Sequence, residues 1–174
     1  MTISIPDPIR FAPHPPPDGE WLNQNGQLYD FEPHSLTLPK RAHPDDAGID
    51  LTAYAYQPKG SGLFMCYLGW AIAPPIGYYT ELLPRSSITW SGFSQPNSVG
   101  VIDPGYRGPL LVPLKANHKF QSDRAIDDAI RALIGTRIAQ LVVRRLYLTN
   151  VEQVSLSKLG ESSRGTGGFG STGL

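Results

Sequence analysis

The sequence holds one cysteine, Cys66, among its 174 residues. It lies in an apolar run with no histidine or second cysteine nearby. That excludes an internal disulfide and a thiolate metal site, and it suits a reducing, cytoplasmic compartment, or the nucleus in a eukaryotic or viral setting. Nor is there an excess of charge of either sign: fifteen Lys and Arg stand against fifteen Asp and Glu. Without a bulk positive field the chain is not expected to bind nucleic acid or an anionic membrane, so any phosphate is met locally. The longest apolar run, about Leu63 to Ile76, is broken by Gly69, Pro74 and Pro75, too soon for a membrane span. The N-terminus has no basic patch followed by an apolar segment, so no secretory signal is expected. His14, His34, His43 and His118 are scattered without metal-ligand spacing, and no Gly-x-Ser-x-Gly nucleophile elbow occurs.

What the chain has in quantity is glycine (18) and proline (17), without a repeat. This composition suits many short strands joined by tight turns, and the length suits one domain. Residues 1–35, with the run Pro15-Pro16-Pro17, read as an extended arm, mobile or hugging the surface. Apolar and β-branched runs then recur between turn signals: Ile49–Tyr56, Leu63–Ala73, Ile76–Leu83, Leu110–Ala116 and Arg137–Leu156. These are the expected strands of an all-β sandwich or barrel. One stretch differs. Ser122 can cap a segment with Ile126, Ala129, Ile130 and Leu133 on one face and Gly135 as the stop, which predicts a single short amphipathic helix. The tail beyond Ser155 is rich in Gly, Ser and Thr and should be flexible when alone.

Three clusters carry candidate chemistry. Pro84-Arg85-Ser86-Ser87 ends an apolar strand with one guanidinium beside two hydroxyls, a set that suits phosphate oxygens, although a surface loop of Ser and Arg is commonplace. Asn97 through Gly108 reads as two short strands joined through Pro104-Gly105, a hairpin that puts Asp103 and Tyr106 on either side of a tight turn. Asp103 then either faces a pocket or merely closes its own turn. Asp50, which interrupts an apolar strand start after Ala47-Gly48-Ile49, has the same two readings. The tail contains Gly165-x-Gly167-x-x-Gly170, but no strand precedes it and no helix can follow before Leu174, so it is not a dinucleotide fingerprint. It is either a disordered tail or a wrap for a nucleotide, with Arg164 on phosphate and Phe169 against a base.

In order, these clusters, the segment around Asp50 and a further stretch at Gly135–Leu141 resemble the five motifs of the trimeric dUTPase family. The first is Ala47-Gly48-Ile49-Asp50-Leu51, the second Pro84-Arg85-Ser86-Ser87 and the third Asn97–Gly108. The fourth is Gly135-Thr136-Arg137-Ile138-Ala139-Gln140-Leu141, and the fifth runs from Arg164 to Gly173. The resemblance spans about residues 36–174. It implies a distorted jelly-roll of strands assembled as a homotrimer, with an arm at 1–35, a body at 36–156 and a C-terminal lid at 157–174. It implies hydrolysis of dUTP to dUMP and pyrophosphate with Mg²⁺ as cofactor. Asp103 would activate water for attack on the α-phosphate, and Asp50 would reach the metal through water. Arg85, Ser86, Ser87 and Gln140 would hold phosphates, and Asn97, Gly100 and Ile102 the uracil. Tyr106 would pack under the deoxyribose. Arg164, Phe169, Gly170, Ser171 and Thr172 would close over the nucleotide bound to another subunit.

Departures from the pattern are the N-terminal arm, the helix in a lengthened link between Asn117 and Gly135, and Ile88-Thr89-Trp90 in place of small residues after the second motif. A dCTP deaminase shares the fold, but its required glutamate would fall at Pro113, which cannot move a proton. A third reading makes the chain a nucleotide-gated regulator of a protein partner, with arm and helix as contact surfaces.

Overall fold

A computed structural model describes residues 7–167. Its strands are β1 (Arg10–Pro13), β2 (Gly48–Thr52), β3 (Ala55–Gly60), β4 (Leu63–Tyr67), β5 (Trp70–Ala73), β6 (Tyr78–Pro84), β7 (Phe93–Ser94), β8 (Gly100–Ile102), β9 (Leu111–Ala116) and β10 (Arg137–Arg145). Two four-stranded sheets, in the orders β2-β10-β6-β8 and β3-β4-β9-β7, enclose the core, and β1 pairs with β5 as a separate ribbon. Every pairing is antiparallel. The core joins Ile49 and Leu51 of β2, Leu82 of β6 and Leu141 of β10 to Phe64 and Cys66 of β4 and Val112 and Leu114 of β9. These are alternate residues on strands of both sheets, as a period of two requires. Burial pushes the Cys66 thiol up to about 12, so it is an inert core residue.

Expected strands break where glycine or a turn intervenes. Leu63–Ala73 divides into β4 and β5 at Gly69, whose φ is +84° and whose Cβ would stand 2.9 Å from Leu36 Cδ2. Only glycine satisfies both demands. The apolar run from Arg137 leaves the sheet after Arg145, which pairs with Tyr78 at the start of β6. Beyond it Tyr147, Leu148, Val151 and Leu156 stand exposed.

The expected helix is α2 (Asp123–Leu133), capped by the Ser122 hydroxyl, which accepts from the Ala125 amide at 3.2 Å. Ile130 is fully buried, and Ile126, Ala129 and Leu133 pack on the same core. A second helix, α1 (Ile88–Ser91), is a single turn closed by Gly92 at φ +85°, where Phe120 covers the space a Cβ would fill. Four residues are too few for periodicity to announce it.

Residues 7–35 hug the rest of the chain. Trp21 is 4% exposed and clusters with Ala55 and Tyr67, with Tyr29, Phe31 and Met65 around them. The Trp21 indole N–H donates to the Pro17 carbonyl at 2.8 Å, and the Tyr67 hydroxyl donates to the His14 carbonyl. The arm also meets α2: the Arg131 guanidinium fills the space above Gly26, donates to the Tyr56 hydroxyl at 3.3 Å and pairs with Asp127 at 2.6 Å. Among the described residues, no helix is long and apolar enough to cross a membrane.

Candidate active site

Asp50 sits mid-way along β2, directly opposite Gln140 of β10, which is opposite Leu83 of β6. One row across the sheet therefore delivers Asp50 and Gln140 to the place where β6 ends at Pro84 and Arg85 begins the turn into α1. Together with Ser86, Gly48 and Asp46 they line a cleft of about 310 Å³. The Gln140 amide nitrogen donates to the Pro84 carbonyl at 3.1 Å, which ties β10 to the start of the Arg85 turn. Gly48 is required for space: a Cβ there would come within 2.2 Å of Gln140 Oε1.

The Asp50 side chain is only 10% exposed and receives two guanidinium groups. Arg85 Nε donates to one carboxylate oxygen at 2.8 Å, and Arg137 Nη1 to the other at 2.9 Å. Arg137 and Gln140 are three positions apart, an odd spacing that in a regular strand would put them on opposite faces. The register shifts between Arg137 and Ala139, so that Arg137 pairs with Thr52 and Gln140 with Asp50. This bulge turns both side chains to one face, a usual consequence of an extra residue in a strand.

Ser86 and Ser87 part company. Ser86 faces the Asp50 cleft, whereas Ser87, the residue before α1, lines a separate space of about 390 Å³ with Arg137 and Thr136. On the other side of Arg85 and Ser86 a third cleft, about 510 Å³, runs past Ser94, Gln95 and Asn117.

The remaining sequence candidates lie along β8 at the far edge of the same sheet. Gly100 is opposite Leu82 and Ile102 opposite Thr80. Asn97 precedes Ser98, a non-glycine residue at φ +55°, and the buried Gln95 amide steadies this turn by donating to the Leu82 carbonyl at 3.2 Å. Beyond Ile102 the expected two-stranded hairpin is corrected. A turn forms, with the Tyr106 amide donating to the Asp103 carbonyl at 3.0 Å, but no second strand returns beside β8. The chain crosses instead to the other sheet, where Leu111 starts β9. Arg107 stiffens this crossing by donating to the Pro104 and Tyr106 carbonyls, both at 2.7 Å. Asp103 is exposed. Tyr106 is 42% exposed, and its hydroxyl donates to the Pro109 carbonyl at 3.0 Å.

Arg164 lies in an exposed turn, its Nε donating to the Gly167 carbonyl at 2.9 Å. Phe169, Gly170, Ser171 and Thr172 lie outside the described residues. No group of three or more His, Cys, Asp or Glu side chains capable of holding a metal occurs among the described residues.

A profile of the dUTPase family matches residues 34–173, most of the chain. The chain belongs to the dUTPase family. Its relatives include a deoxyuridine 5'-triphosphate nucleotidohydrolase of Rhodococcus erythropolis, 42% identical over 140 residues, which cover 79% of this chain and 80% of the relative. Another from Solanum lycopersicum is 38% identical over 158 residues, 87% of this chain and 86% of that one. Among solved structures, the dUTPase of Staphylococcus bacteriophage 80alpha with dUPNHPP aligns at a TM-score of 0.66 over 97% of this chain and 99% of its own. At 24% identity this likeness speaks to the fold.

Arg137 and Asp46 also belong to this dUTPase cleft region, and no sequence motif marks either as functional. Arg137 stood inside the fourth motif, but a charged residue at a strand start is not distinguishable from solvated surface by pattern. Asp46 lines the cleft while its carboxylate accepts from the His43 amide at 2.8 Å.

Proposed function

We propose that this chain hydrolyses dUTP to dUMP and pyrophosphate. The observation that carries the proposal is the convergence of Asp50, Arg85, Ser86 and Gln140, drawn from three separate motifs, on one cleft. A guanidinium, a hydroxyl and a carboxamide there offer donors at different angles to a chain of phosphate oxygens. Backbone groups at Gly100 and Ile102, with Asn97 beside them, are the proposed uracil contacts, Tyr106 the floor beneath the deoxyribose, and Asp103 the base that orients and deprotonates the attacking water. Base assistance of this kind contributes about 10²- to 10⁴-fold.

Ser98, beside Asn97, shares a space with Arg85 and Ser86, but the Ile102 and Asp103 end of the second group lies away from the Asp50 cleft within one chain. Ile102 is opposite Thr80, five residues before Arg85, which separates them along β6 by about 17 Å at a strand rise of about 3.3 Å per residue. A complete site then needs the β8 edge of one copy against the Asp50 cleft of another, which supports a homotrimer with shared sites. The exposed apolar residues Tyr147, Leu148, Val151 and Leu156 are read as a path along a neighbour, leading Arg164 and Phe169 to Thr172 toward its nucleotide as a lid, while Ser87 is kept as a proposed substrate contact. Residues 1–35 and 36–156 make the arm and the body.

The residues present fit Mg²⁺ bound chiefly by substrate. That ion keeps several waters and commonly needs only one or two carboxylates besides phosphates, and Asp50, whose carboxylate lines the cleft, could accept from one of those waters. Bound with the triphosphate, Mg²⁺ would neutralise developing charge at the phosphates. Deamination of dCTP is disfavoured because Pro113 of β9 stands where that reaction needs a glutamate. The buried thiol and balanced charge agree with a cytoplasmic enzyme that binds neither membrane nor nucleic acid.

The test is pyrophosphate release from dUTP, dCTP, dTTP and UTP with and without Mg²⁺. Turnover confined to dUTP and dependent on the ion is expected. Release from all four alike, or from none, would sink the proposal.

A further inference from the structure

The Arg85 guanidinium is engaged by groups of the chain itself. Its Nε rests on a carboxylate oxygen of Asp50 at 2.8 Å, and its Nη1 donates to the Arg137 carbonyl at 3.4 Å. A carboxylate and a phosphate present oxygens to a guanidinium in much the same geometry. Asp50 therefore holds the Nε edge of the guanidinium, and a phosphate that docks bidentately on that edge must displace it. Withdrawing the partner of a largely buried carboxylate is costly, because the charge is left uncompensated out of water. Asp50 is largely buried, and its second oxygen is held independently by Arg137 at 2.9 Å.

We propose that Arg137 is a positioning residue that keeps Asp50 compensated while Arg85 is handed from Asp50 to a phosphate. This deepens the phosphate reading of the cleft and rests on it. Arg137 is placed for the task by the bulge between Arg137 and Ala139, which brings it to the Asp50 face. Its side chain is 53% exposed, so it stays hydrated while holding the carboxylate. Asp50 then has two successive settings, shared between two arginines before the nucleotide arrives and held by Arg137 alone afterwards. Gln140 and Ser86, which make no contact with Asp50 in this set of bonds, are bystanders to the exchange.

The experiment is a double-mutant cycle read by calorimetry, with inorganic tripolyphosphate and EDTA so that no metal takes part. Arg137→Gln should weaken tripolyphosphate binding by about tenfold or more, the low end for a hydrogen bond to a charged group, because Asp50 then retains Arg85. Asp50→Asn should tighten binding, since the competing anion is gone. In the Asp50→Asn background Arg137→Gln should change affinity by no more than about twofold, the scatter of uncoupled substitutions. Arg137→Lys, which preserves the charge, should stay near wild type, and thermal melts of all variants report folding separately. Equal losses from Arg137→Gln in both backgrounds would make Arg137 a direct phosphate ligand and overturn the handover, as would a weakening by Asp50→Asn or no effect of Arg137→Gln. Failure of the wild-type protein to bind tripolyphosphate would instead bring down the phosphate reading of the cleft itself.

Discussion

Replacing Gly48 by alanine separates folding from function at the cleft. A Cβ at Gly48 would lie 2.2 Å from Gln140 Oε1, 3.2 Å from its Cδ and 3.3 Å from its Cβ. Only the terminal oxygen is impossibly close, so the side chain swings out and the backbone stays. The swing breaks the Gln140 bond to the Pro84 carbonyl, a net loss of about 1 kcal/mol. Alanine in a strand regains roughly 0.5–1 kcal/mol over glycine, so the two effects nearly cancel. The cleft, however, loses the carboxamide that is assigned to phosphate, and a hydrogen bond to a charged group contributes about 1.5–3 kcal/mol. Gly48→Ala should therefore melt near wild type while kcat/KM for dUTP falls roughly tenfold to a hundredfold, by the conversion of about 1.4 kcal/mol per decade. Gln140→Ala should cost as much, and the double variant little more than either, because both remove the same contact. The measurements are thermal melts and pyrophosphate release under steady-state conditions. Wild-type kcat/KM in Gly48→Ala would refute the assignment of Gln140, and a loss of several kcal/mol in stability would place the clash in the backbone.

Asp103→Asn should leave dUTP binding measurable but lower kcat by about a hundredfold or more, in single-turnover assays; near-normal turnover would assign the base elsewhere. Trp21→Ala should lower the free energy of unfolding by about 3–5 kcal/mol, the usual cost of deleting a buried tryptophan side chain, as read by denaturant titration. A change below about 1 kcal/mol would mean that the arm rides on the body without being part of its fold.

The sequence disclosed most where a residue's neighbours along the chain decide its structure. Ser122 and the spacing of Ile126, Ala129, Ile130 and Leu133 define α2 locally, and the structure places it at Asp123–Leu133 with the expected cap. The strands were visible as apolar runs, but their ends were not. Gly69 halves one run because Leu36, thirty-three residues earlier, occupies its Cβ space, and no window along the chain contains both. The same limit hid the path of Pro104-Gly105. A turn pair predicts a reversal, yet which sheet receives the chain afterwards depends on the Leu110 amide finding the Trp70 carbonyl.

At the site, Asp50, Arg85, Ser86 and Gln140 were named from motif order and converge on one cleft. Arg137 was missed because its importance lies in a strand bulge, a feature of register that sequence pattern leaves open. Ser87 was grouped with Ser86 by adjacency, although the onset of α1 sends the two toward different spaces. Trp21 was overlooked among prolines, since a single aromatic in an extended arm has no period to mark it as buried.

The ribbon formed by β1 and β5 bears on how the molecule keeps to itself. Strand β5 carries Trp70, Ala71 and Ile72, and its backbone pairing runs residue for residue along Arg10–Pro13. Stripped of that cover, a short, apolar row of unsatisfied amides and carbonyls would face outward, and such rows invite foreign strands to zip on. Pro13, at the last rung of the ribbon, has no amide hydrogen to offer a newcomer. The proline-laden beginning of the chain thus works as a hem, finishing a raw border before another molecule can catch on it.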